Sequence, residues 1–173
     1  QLPPTVIVDE NGQETSGWRV CLVPFLEVAP PDGSQAADMP SVAPFEYSVY
    51  LDYSGGELST ETRVFAIVAD NSVFPPTPNT VVRFSGVTDG LANTLFAVSL
   101  PNRVADWKSN VNLTPNKAYQ NLMELESNEV AHLLMGDGAV LSFRASDDWL
   151  DDRATFDALV SRDGGELVSL PGY

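Results

Sequence analysis

Alternation of apolar and polar positions dominates the first hundred residues. The clearest stretch is FEYSVYLDY (45–53), with Phe45, Tyr47, Val49, Leu51 and Tyr53 on one face and Glu46, Ser48, Tyr50 and Asp52 on the other. A period of two with one polar face predicts an antiparallel strand that is wet on one side. TVIVD (5–9) is a shorter β-branched run that ends at the turn signal Asn11-Gly12. WRVCLVPFLEV (18–28) reads as a longer strand, bent at Pro24, which cannot donate to a central ladder. TRVFAIVA (62–69), TVVRFSGV (80–87) and TLFAVSL (94–100) bring the strand candidates in this half to six. Two proline-rich stretches, 29–44 and 70–79, lack periodicity and read as surface loops.

The pattern then lengthens. Between 113 and 138 the apolar residues Tyr119, Leu122, Met123, Val130, Leu133 and Leu134 recur at spacings of three and four. Thr114 suits an N-cap with Pro115 at the first helical position, and Gly136 suits a left-handed stop. This predicts a helical excursion at about 115–135, with Ser127-Asn128 as a potential break. AVLSFRA (139–145) returns to strand, and ELVSLPGY (166–173) closes the chain as another. In between, SDDWLDDR (146–153) puts four aspartates within six residues. Ser146 would cap a second helix at 147–162, with Asp147 and Asp148 in a first turn where exposed N–H groups favour carboxylates. Trp149, Phe156, Leu159 and Val160 would be its buried face.

The pattern therefore predicts one domain, 1–173, that is mainly β with two helical excursions. Eight strand candidates at this spacing fit an antiparallel two-sheet β-sandwich or jelly-roll-like architecture. At 173 residues and 43% apolar composition the chain is long enough and apolar enough to bury a core.

Charge narrows the partners. The net charge is −15, from 24 acids and 9 bases, and it is spread along the chain. Such a field repels phosphate backbones and anionic lipid, so no nucleic-acid partner and no membrane insertion are expected. No apolar run reaches the roughly 18 residues of a membrane span. The chain opens on Gln1, the start expected of a processed product. An extracellular, cell-surface or virion location is the matching expectation.

Candidate chemistry is sparse. Cys21 is the one cysteine, which removes internal disulfides and cysteine-based zinc sites; its apolar run makes it a small core residue. His132 is the one histidine, and the chain has neither G-x-S-x-G nor H-E-x-x-H. Calcium would want several carboxylates, but 146–153 lacks the spacing of a calcium loop and holds Arg153 inside the cluster. A hydrolase using paired carboxylates is an open alternative in which the 24 acids nominate no pair. No cofactor, no metal and no catalytic residue is expected.

What remains is surface. Phe74, stiffened by Pro75, Pro76 and Pro78, and Trp107, in a polar stretch, are the candidate interaction residues, because exposed aromatics anchor protein contacts. The competing expectation is that both rings fold back as plugs on the core. Trp107 with Asn102, Asn110 and Asn112 would also offer a glycan the aromatic and amide chemistry that sugars use. The leading expectation is a non-enzymatic structural or interaction module with protein partners or self-assembly. A carbohydrate- or small-ligand-binding sandwich is the alternative.

Overall fold

The computed structural model describes residues 1–22, 61–150, 152–166, 168 and 170. This part is mainly β, with antiparallel sheets and three helices, and the sheets do not close into a barrel. Strands β1 (Val6–Val8) and β2 (Glu14–Gly17) form one ribbon, turned at Gly12 with φ +77°. Strands β3 (Glu61–Thr62) and β4 (Val64–Ala66) run on from each other, as do β5 (Leu95–Ser99) and, after a turn, β6 (Ala105–Asp106). Because β3 pairs with β6 and β4 with β5, residues 61–66 lie against 95–106 as one long antiparallel ribbon. The Leu100 N–H donates to the Arg63 carbonyl at the joint, 3.0 Å. Strands β7 (Ala131–Met135) and β8 (Val140–Phe143) extend β4–β5 into a four-stranded sheet of order β4-β5-β7-β8.

This sheet has a core on each side. On its inner face lie Phe65, Leu95, Val98, Leu133, Met135 and Phe143, covered by helix α2 (Pro115–Met123) through Ala118 and Leu122 and by helix α3 (Arg153–Val160) through Phe156 and Leu159. Full burial of each such large side chain contributes about 1.5–3 kcal/mol. On the outer face, Ala66 and Phe96 meet Leu2, Trp18, Val73, Phe74, Val82, Val87 and Trp107. That second core covers β4 and β5 only. Strand β5 is therefore buried on both sides, which is why LFAVS reads as an unbroken apolar run instead of an alternating one.

The outer edge of β4 is closed by other parts of the chain. The Leu113 N–H donates to the Ala66 carbonyl (3.0 Å) and the Val68 N–H to the Leu113 carbonyl (2.7 Å), a parallel bridge. Arg19, on the short helix α1 (Trp18–Leu22), is only 1% exposed. Its guanidinium donates to the carbonyls of Val64 (3.0 and 2.5 Å), Ser109 (3.1 Å) and Val111 (3.2 Å). A side chain thus supplies the donors that a neighbouring strand would bring.

Several expectations need correction. The predicted helix at 115–135 is helical only to Met123, and 131–135 is strand β7. Ala131, Leu133 and Met135 point inward while His132 and Leu134 point out. The apolar run 130–135 satisfied three- and four-residue spacing by accident of composition, and sheet pairing on both sides decides its true period. Gly136 is consequently a hairpin residue and no helix stop.

The helix predicted at 147–162 is shorter as well. A 3-10 turn covers Asp148–Leu150, and α3 begins only at Arg153. Its cap is Asp152, whose carboxylate accepts the Ala154 N–H at 3.0 Å, in place of Ser146. Asp152 does start a helix, six residues later than the apolar pattern suggested.

WRVCL is helix where a strand was expected, since Trp18 and Arg19 are both buried and no alternation survives. Residues 80–87 form no strand either. Phe84–Gly86 is a 3-10 turn, and the run is β-branched because Val82 and Val87 fill the outer core. The end segment keeps Leu170 buried, but none of its described residues is in a strand. The alternating stretch 45–53, the loop 29–44 and residues 23–28 lie outside the described residues.

The relocated cap gives a direct expectation. Asp152→Ala should lower stability by about 1 kcal/mol in equilibrium denaturation, and Ser146→Ala should leave it within about 0.5 kcal/mol. The reverse order would restore the cap to Ser146.

Candidate interaction surface

The β7–β8 hairpin is the part of the sheet that the outer core leaves bare. Its turn is set locally. The Met135 N–H donates to the Ala139 carbonyl (2.9 Å), the Ala139 N–H to the Asp137 carboxylate (2.9 Å), and Gly138 takes φ +92°. Gly136 is needed for a different reason: a Cβ there would fall 2.5 Å from Phe96 Cε1 and 3.0 Å from the Leu91 carbonyl oxygen. The ring of Phe96 thereby seats the hairpin on the outer core.

Leu134 pairs with Val140, and His132 with Ser142, on the outward face. Leu134 is 37% exposed and Val140 60%, the most exposed large apolar residue among those described. Because Met135–Ala139 is a hydrogen-bonded pair, antiparallel alternation makes Leu133–Leu141 and Ala131–Phe143 hydrogen-bonded pairs too. The N–H and C=O groups of Val140 and Ser142 must then point away from β7, and among the described residues none pairs with them. The next outward donor, the Arg144 N–H, is taken by the Asp147 carboxylate at 2.8 Å. Among the described residues the edge is therefore free, short, apolar and without proline or lysine, the devices that usually blunt an edge.

Phe74 and Trp107 do not provide the exposed anchors expected of them. Each is 3% exposed and belongs to the outer core. Phe74 lies 5.6 Å from the Trp18 ring and meets Phe96 edge-on at 6.4 Å. Lys108 Nζ sits 5.5 Å from the Trp107 ring. Both rings are buried in the outer core.

The amides that might have served a sugar have structural duties. Asn102 donates to the Asn121 carbonyl (3.1 Å), and Asn112 accepts the Trp18 indole N–H (2.9 Å) while donating to the Asn110 carbonyl (3.1 Å). Asn110 donates to the Glu14 carboxylate at 2.7 Å. A cleft of about 260 Å³ does run past Thr5, Pro76, Asn110, Asn112 and Thr114, without Trp107. The Thr5 hydroxyl donates to the Pro75 carbonyl, and Thr114 caps α2. Both functional positions of the sequon Asn112-Leu113-Thr114 are thus spent within the fold.

Compared with known proteins, the chain matches no family model, no curated protein and no solved structure. The reading of function rests on its own residues.

Those residues hold little reactive geometry. His132 is exposed, and its ring nitrogen meets the Ser142 hydroxyl at 3.3 Å across the strands. Cys21 lines a second cleft of about 250 Å³ with Leu2, Pro3 and Val81, and burial pushes its thiol above the ordinary range, away from the thiolate that reacts. Two of the three described aspartates of the dense cluster are occupied locally, Asp147 on the Arg144 N–H and Asp152 as the cap, while Asp148 opens the 3-10 turn exposed; Asp157 pairs with Arg153 at 2.8 Å just beyond them. Asp9 is held below the ordinary carboxylate range by the backbone N–H groups of Gln13 and Asn11, so it serves the β1–β2 turn.

The surface was not visible in the pattern, because 131–135 read as helix and an edge is defined by strand order. Its seating is testable. Gly136→Ala should cost about 1–3 kcal/mol of stability through overpacking against Phe96, measured by the shift in denaturation midpoint. An unchanged midpoint would mean that the ring does not hold the hairpin.

Proposed function

We propose that this chain is a non-enzymatic β-rich structural or interaction module, an outward-facing component of an extracellular, virion or multisubunit assembly. The observation that carries the reading is the open β8 edge with Val140 and Leu134 exposed beside it. Unpaired strand edges with apolar flanks are the surfaces by which sheets add partners. The polar chemistry elsewhere supports it, since Asp9, Asp147, Asp152 and Thr114 serve turns and caps and Arg19 closes an edge. The same proposal takes the architecture to be a two-sheet antiparallel sandwich of jelly-roll type, with the four-stranded sheet as one layer; the antiparallel pairing of every described sheet supports this.

A charge of −15 fits a protein that works among other proteins and away from nucleic acid and anionic lipid. No helix among the described residues is long and apolar enough to cross a membrane. Light scattering coupled to size exclusion tests the reading. The protein, alone or mixed with the proteins that accompany it in its source, should give a species heavier than the 18.7 kDa chain. A strictly single-chain mass under both conditions would contradict it.

A further inference from the structure

We infer that the β8 edge is a self-pairing edge: two copies join antiparallel across a two-fold axis at Leu141, continuing one four-stranded sheet into the other. The inference rests on the module reading above and names its partner as a second copy of this chain.

Three features of the edge are self-complementary. The first is its hydrogen-bond pattern. Only Val140 and Ser142 present outward backbone groups before Asp147 closes the edge at Arg144. Two open residues separated by one match their own reverse. Val140 of one copy faces Ser142 of the other, and the reciprocal pair completes four N–H···O=C bonds, with Leu141 facing Leu141 as the central non-hydrogen-bonded pair.

The second is charge. Asp137 precedes the strand and Arg144 follows it, both exposed. In this register Arg144 of one copy faces Gly138 of the other, beside Asp137, and the relation occurs twice. The pairing thus sets opposite charges together at both ends. The third is the apolar stripe. Leu134 and Val140 of each copy fall on one continuous outer face, where each Val140 directly faces Ser142 of the other copy and has the other Val140 as its diagonal neighbour.

Closure follows from the other edge. β4 is sealed by Leu113 and the Arg19 guanidinium, so among the described residues each copy has one open edge in this sheet. One open edge per copy gives an isologous pair that stops at two, not a fibre. Opposing the pairing is the −15 charge of each copy, which salt screens: the Debye length falls to about 3 Å near 1 M. The dimer should therefore strengthen as salt is raised.

The experiment combines mass with geometry. In light scattering over rising concentration and salt, the wild-type mass should climb toward twice that of the chain. Val140→Pro should stay at the single-chain mass with an unchanged melting curve, because the Val140 N–H points away from β7 and its loss removes no existing ladder bond. In a Cys21→Ser background, Leu141→Cys should form an intermolecular disulfide under oxidised glutathione. Val140→Cys should do so roughly tenfold more slowly, since its symmetry mate lies diagonally, outside disulfide reach. A wild-type chain that stays monomeric at every concentration and salt overturns the inference. So does a dimer that survives Val140→Pro, or equal cross-linking at 140 and 141. A larger assembly that survives Val140→Pro, or a monomer that still joins its native neighbours, removes self-pairing and leaves the module reading standing; single-chain mass in every mixture removes both.

Discussion

A guanidinium buried to 1% exposure would be ruinous unless its donors were met, because an uncompensated buried charge costs several kcal/mol. Arg19 meets this constraint with backbone carbonyls. Val64, Ser109 and Val111 accept its N–H groups, and the rings of Trp18 and Phe65 lie 4.9 and 5.7 Å from its central carbon. Those partners come from three parts of the fold: α1, β4 and residues 109–111. Through this one side chain, α1 is held against the edge of β4, and residues 109–111 are held beside both. Arginine suits the place because its planar fork reaches several acceptors at once, which a lysine ammonium does less well.

A second knot secures the far side. Arg162, just past α3, donates to the carbonyls of Asp70 (2.8 Å) and Ser72 (2.5 Å), while its own carbonyl accepts the N–H groups of Thr88 and Asp89. The Asp89 carboxylate then accepts the N–H groups of Gly164 and Gly165, both at 2.8 Å. The buried Ser72 hydroxyl pins the turn between them, accepting from the N–H groups of Ala69 and Phe74. The loop 70–79 is therefore fixed from beneath, which is why Phe74 goes inward. Arg19 closes the β4 edge and Arg162 fixes the loop that follows it, and among the described residues neither reaches β8. The asymmetry of the sheet, and with it the functional reading, follows from where these contacts are absent as much as from where they are made.

The sequence disclosed what local chemistry determines. Thr114-Pro115 marks the start of α2, Asn11-Gly12 the first turn, and TVIVD, TLFAVSL and AVLSFRA hold β1, β5 and β8, because β-branched runs bounded by turn signals are short-range patterns. It concealed what distant partners determine. AHLLM can present an apolar face at either period, and only pairing with β5 and β8 selects the strand. TVVRFSGV has strand composition but serves as a wedge in the outer core. Trp107 sits in a polar stretch, yet its ring is buried by residues far away in the chain. The edge position of β8, on which the candidate surface depends, is a property of strand order and has no signature in a single segment.

Native-state hydrogen exchange in an Arg19→Met variant tests the central claim most directly. The informative amides are Val68 and Leu113, whose N–H groups, given to the Leu113 and Ala66 carbonyls, close the β4 edge beside the guanidinium. If Arg19 holds that edge shut, both should exchange at least about tenfold faster than in the wild type, a loss of about 1.4 kcal/mol or more of local protection. Wild-type protection at Val68 and Leu113 in a folded Arg19→Met chain would contradict the account, because the edge would then be closed without the buried charge.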